Sequence, residues 1–119
     1  MSDENGSVDY AEKLESLTEQ LRATTEERQN VEMEIKDIDR VLSEIEALPD
    51  GEAVYQVVGN IMVKKERDVI KKELQEKKEN DSLMFQTLKQ REEALSSEIN
   101  KVRREMLLKS QAFRVTGNS

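Results

Sequence analysis

The sequence contains neither cysteine nor histidine. Their absence removes thiolate chemistry, disulfides, most zinc sites and every pairing of a nucleophile with an imidazole. Apolar residues make up 35% and aromatics 3% of the 119 positions, against 38% charged residues. So little apolar material does not fill a compact core of this length, and an elongated helical body is expected. No apolar run approaches the ~20 residues of a membrane-spanning helix. The acidic N-terminus also lacks the basic-then-apolar layout of a signal peptide, so a soluble, cytoplasmic protein with no membrane partner is expected. Carboxylates are abundant, but no calcium loop, phosphate loop or nucleophile elbow accompanies them. We therefore expect no enzyme, no metal and no cofactor.

What is present is charge, unevenly placed. Residues 1–50 carry 15 acids and 5 bases, net −10, whereas residues 51–119 carry 11 acids and 14 bases, net +3. Packing the halves side by side relieves repulsion within the first, although exposed pairs contribute only ~0–1 kcal/mol each. The basic pairs Lys64-Lys65 and Arg103-Arg104 are candidates for an acidic partner. Overall acidity argues against nucleic acid, and residues 1–13 hold a single base, Lys13, which excludes a basic-region zipper.

Two stretches carry a heptad pattern. In the first, apolar residues alternate steps of three and four through Leu14, Leu17, Leu21, Val31, Ile35, Ile38, Leu42 and Ile45, with Thr24 and Arg28 filling the gaps. Ser7 is the expected N-cap, and Leu48-Pro49-Asp50-Gly51 the expected stop, which places this helix over about 8–48. The second seam runs Leu74, Phe85, Leu88, Leu95, Ile99, Val102 and Met106, interrupted by Lys78, Asp81 and Glu92. It predicts a helix over about 67–113, with Asp68 as a candidate cap and tails at 1–7 and 114–119.

Between them residues 53–65 change period. Val54, Tyr55, Val57, Val58, Ile61, Met62 and Val63 are mostly β-branched or aromatic, and Gly59-Asn60 is a two-residue turn signal. A β-hairpin is predicted; the competing reading is that the segment merely continues a helix. Such a hairpin is marginal alone in water, so strands this apolar should be completed by other copies or other subunits. The two seams are similar in length, and an antiparallel pair with both termini at its far end is the economical way to bury them. That pairing brings Thr24 and Arg28 near Leu88, Glu92 and Leu95. Arg28 and Glu92 then either set register or direct their long side chains outward.

This layout resembles the β-type subunit of the prefoldin family. The resemblance covers roughly residues 8–113, and its specific part is Val54-Tyr55-Gln56-Val57-Val58-Gly59-Asn60-Ile61-Met62-Val63 at the midpoint, since any heptad sequence is similar to any other. It implies one mainly α domain over residues 1–119: a long antiparallel two-helix coiled coil with one central β-hairpin, assembling through the hairpins into a β-barrel platform. It further implies a hexamer of two α-type and four β-type subunits. Such a hexamer takes unfolded polypeptides at the coiled-coil tips and passes them to a group II chaperonin without ATP. The plain single-hairpin chain is more similar to the archaeal version than to the specialised eukaryotic forms.

Site residues follow from both lines. Met106 is flanked by Leu107 and Leu108 and followed by Ala112, Phe113 and Val115, and the opposing strand brings Val8, Tyr10, Leu14 and Leu17. One seam cannot hide three consecutive apolar residues, so part of this cluster is expected to contact clients, the alternative being that it seals the end of the helical pair. Val54, Tyr55, Val57, Val58, Ile61, Met62 and Val63 are assigned to assembly, the alternative being a hairpin folded onto its own helices. A coiled-coil adaptor that only oligomerises or tethers is the competing function.

Overall fold

The computed structural model describes the backbone of residues 9–117 and the side chains of residues 9–111. In chain order it consists of helix α1 (Tyr10–Glu46), strand β1 (Val54–Val58), strand β2 (Ile61–Lys65) and helix α2 (Arg67–Gly117). The expected cap Ser7 lies outside the described residues. The cap at the start of α1 is Asp9, whose Oδ1 accepts the Glu12 amide at 2.9 Å, satisfying one of the donors that every helix start leaves unpaired.

Helix α1 ends at Glu46, two residues before the predicted stop. Leu48 N–H donates to the Ile45 carbonyl at 3.2 Å, tightening the last turn, and Pro49 cannot extend it. A turn closed by Glu52 N–H on the Pro49 carbonyl follows, with Gly51 at φ +84°, a left-handed value that favours glycine at this position. At the other side of the ribbon Asp68 does not cap α2. It sits within the first turn, and the Glu66 carbonyl accepts the first helical bond, from Ile70 N–H. Nothing in the sequence interrupts α2 at Phe113, and it continues to Gly117.

The segment between the helices is a strand pair, not helix. It pairs antiparallel in the register Val54↔Lys65, Tyr55↔Lys64, Gln56↔Val63, Val57↔Met62 and Val58↔Ile61. Positive φ at the turn is confined to Gly59 (+61°), the first of its two central residues, as expected of a tight hairpin matched to strand twist.

The chain divides into two compact units. In the hairpin unit, Arg28–Thr87, the antiparallel sense of the helices is shown by their ion pairs. As the α1 partner advances through Glu34, Asp39 and Glu46, the α2 partner retreats from Lys77 and Lys78 to Lys71. Val31, Ile38, Ile45 and Ile70 are buried between them, with Ile35, Leu42, Leu74 and Phe85 half-buried. Ile70, one helical turn before Leu74, extends the seam beyond its predicted start.

The terminal unit joins the residues up to Glu27 to those from Leu88 onward. Its helices also run antiparallel, with Lys13 facing Glu98 at 4.0 Å and the Thr25 hydroxyl donating to Glu92 Oε2 at 2.7 Å. Leu88, Ile99 and Val102 are buried, and Val102 is completely inaccessible. Leu14, Leu17, Leu21 and Leu95 are half-buried. Thr24 fills its gap in the seam dry, its hydroxyl returned to the Gln20 carbonyl at 2.8 Å. Arg28, in the hairpin unit, pairs along its own helix with Glu32 at 3.1 Å.

Candidate functional site

Large exposed apolar side chains cluster on two surfaces, the ribbon and the end of α2, apart from Met33, Val69, Leu83 and Met84. The first is the ribbon. Directly opposed residues of an antiparallel pair share a face, so Gln56, Val58, Ile61 and Val63 lie on one side and Tyr55, Val57, Met62 and Lys64 on the other. Both sides are open. Tyr55, Val57, Val58, Ile61, Met62 and Val63 are 42–67% exposed, and only Val54, at the base, is half-buried. A hairpin folded onto its own helices would cover one side, and this one covers neither.

The base of the ribbon is held by charge. Arg67 donates through Nη2 to the carbonyls of Leu48 (3.1 Å) and Pro49 (2.8 Å), supplying the positive partner that the last turn of α1 lacks. Lys65 reaches Glu73 at 3.1 Å and Lys71 meets Glu46 at this base, while about three turns farther along the helices Lys77 meets Glu34 at 2.6 Å. The hydrogen bonds from Lys77 and Lys71 hold the Glu34 and Glu46 carboxyls below their ordinary range, and Glu34 raises Lys77 in return. The contacts of Arg67, Lys65 and Lys71 fix where the strands leave the helices, while the apolar side chains beyond them stay uncovered. Residues 50–54 and 64–68 also line an open, charge-mixed cleft of about 720 Å³.

The second surface is on the last turns of α2. Met106, Leu107 and Leu108 are 38%, 57% and 64% exposed. Their α1 counterparts are less open, since Tyr10, Leu14 and Leu17 are all half-buried. Val8 and the Phe113 side chain lie outside what the structure describes. Around the leucines stand Lys101, Arg103, Arg104 and Lys109, all exposed.

Sequence reasoning passed over exposed Met33, Val69, Leu83 and Met84. For the last two the available signal was Ser82–Leu88, seven uncharged residues in a chain this charged. Among the described residues no cluster of acidic side chains is arranged to hold a metal ion. No described helix is long and apolar enough to cross a membrane.

Two helices paired antiparallel and joined through a β-ribbon open on both faces define a hairpin-bearing coiled-coil protein. Comparison with known proteins narrows that class. The profile of the family described as "Prefoldin subunit" matches residues 9–111. Prefoldin subunit beta of Archaeoglobus fulgidus is 39% identical over 83 residues, covering 70% of this chain and 72% of its own length. That of Sulfurisphaera tokodaii is 30% identical over 94 residues, covering 79% and 75%. The crystal structure of the prefoldin beta subunit from Thermococcus strain KS-1 superposes with a TM-score of 0.74 at 31% identity, covering 81% of this chain and 84% of that one. The beta2 subunit from the same strain shares the fold, with a TM-score of 0.69 at 20% identity. The chain belongs to the prefoldin family, a family of chaperone subunits and not of enzymes.

Proposed function

We propose that this chain is one subunit of an ATP-independent holdase that assembles through its ribbon and captures unfolded polypeptides at the terminal unit. The observation that carries the reading is the paired exposure of apolar side chains at two separate places. Val57 and Ile61 are open on opposite faces of a ribbon whose outer edges lack partner strands, and Leu107 and Leu108 are open at the end of α2. Unpaired edges recruit strands, and flexible Met and Leu side chains adapt to many partners. The ribbon residues Val54, Tyr55, Val57, Val58, Ile61, Met62 and Val63 form the assembly surface, completed by an α-type subunit and further β-type copies in a hexamer of two and four. Met106, Leu107 and Leu108 supply client contact, with Val8, Tyr10, Leu14, Leu17 and Phe113 bordering it. Clients then pass to a group II chaperonin in the cytoplasm.

Each terminal unit binds weakly, because loose apolar contacts must offset the ordering of the client, and several acting on one chain raise the effective strength. The test is light scattering from a denatured client diluted into the assembled protein. Suppression in the absence of nucleotide is expected. Unchanged scattering at excess oligomer would replace the holdase with a tethering adaptor.

A further inference from the structure

The cations of α2 are not alike. In the hairpin unit Lys71, Lys77 and Lys78 of α2, like Lys65 of β2, each meet a carboxylate within 4.0 Å. In the terminal unit Lys13 and Arg22 of α1 make ion pairs, and Lys89 of α2 is engaged as well. Lys101, Arg103, Arg104 and Lys109 have none among the described residues. The composition shows why: from Ile99 to Gly117 the sequence contains five bases and one acid, Glu105.

These cations stand beside the open leucines. With Leu95, Ile99 and Val102 turned into the seam, helical spacing sets Lys101, Arg104, Leu107 and Leu108 on the opposite side. Arg104 precedes Leu107 and Leu108 by three and four residues, and Arg103 precedes Leu107 by four, so each leucine lies one turn from a guanidinium. Arg103 and Arg104 also line a shallow groove with Ser97 and Asn100.

We propose that this face selects among unfolded chains by charge, favouring segments in which apolar residues alternate with Asp and Glu and disfavouring Lys- and Arg-rich ones. The proposal rests on the holdase reading and adds the client class. Leucine contacts do not discriminate, whereas guanidinium groups that meet no carboxylate among the described residues can pair with one from the client, often by donating two hydrogen bonds. The net charge of −7 does not cancel the effect. Salt limits electrostatic reach to roughly 8–10 Å, so a client on this face of α2 meets Lys101, Arg103, Arg104 and Lys109 most closely, while Asp9, Glu12, Glu15 and Glu19, exposed acids of the same unit, stand on the other helix of the pair.

The experiment uses the full chain in its assembled form and two labelled unfolded peptides with the same apolar residues, one interspersed with Glu and one with Lys. Binding is read by fluorescence anisotropy. At about 0.05 M salt the Glu peptide should bind about tenfold tighter, and at about 0.5 M the two should converge. Arg103→Glu with Arg104→Glu should reverse the preference while leaving helix content by circular dichroism unchanged. Equal binding of both peptides at low salt, with scattering still suppressed, would overturn the charge selection and leave the holdase standing. Adsorption to phosphatidylserine vesicles without peptide preference would overturn it in favour of a membrane surface. If neither peptide binds and scattering is not suppressed, the holdase reading falls and this proposal with it.

Discussion

Replacing Asp81 with leucine should make the protein more stable. Asp81 occupies a seam position of α2, is 7% exposed, and its Oδ2 is buried without a hydrogen-bond partner. The Lys77 ammonium stands 3.9 Å away, but it is engaged at 2.6 Å by Glu34. A buried acceptor left unsatisfied costs about 1–3 kcal/mol. Burying a leucine side chain contributes about 1.5–3 kcal/mol, from which the strain of a larger side chain, about 1–3 kcal/mol, must be subtracted. The balance favours Asp81→Leu by about 2 kcal/mol, which continues the seam with the apolar type it otherwise uses. Urea unfolding followed by helical circular dichroism at fixed protein concentration measures it, with an unchanged slope required for the comparison. Asp81→Asn separates charge from shape: if the carboxylate is the burden, Asn should be neutral or stabilising. A loss of more than about 1 kcal/mol in the leucine variant would refute the reasoning and show that the carboxylate is matched by its surroundings.

Three further outcomes are expected. Val57→Asp with Ile61→Asp should abolish assembly by forcing charge into the apolar surface between subunits, and an oligomer that persists in native mass spectrometry would contradict the assembly assignment. Serine at Met106, Leu107 and Leu108 should leave oligomer mass intact while weakening suppression of client aggregation; loss of the oligomer would count against a client role. Glu34→Gln with Glu46→Gln should lower the melting temperature at pH 7, because both carboxyls are held below their ordinary range by lysines and so stabilise the fold when ionised. That contribution is present above the unfolded-state value and disappears as pH falls through the lowered one, so the gap between variant and wild type should close in acid. A gap that widens there would reverse the sign.

Much of the fold was legible because its signals are local. Pro49 and Gly51 stop α1, Gly59-Asn60 turns the ribbon, and the step of three and four picked out side chains that are buried or half-buried from Leu14 to Val102. The misses are non-local. Arg67 reads as an ordinary helix-start cation until the fold brings it to the Leu48 and Pro49 carbonyls 19 and 18 residues earlier. The apolar cluster at the chain ends was read whole, but Leu14 and Leu17 are partly covered while Leu107 and Leu108 stay open, a distinction that depends on which side of α2 faces its partner.

The sequence by itself determined the order of elements, the position of the ribbon and the two seams, because turn residues and side-chain period act within a few residues of themselves. Tertiary structure alone decided which seam positions are dry, which lysines are neutralised and which apolar residues remain open. Burial and ion pairing need a second surface, and an antiparallel pair draws that surface from chain as remote as Thr25 is from Glu92.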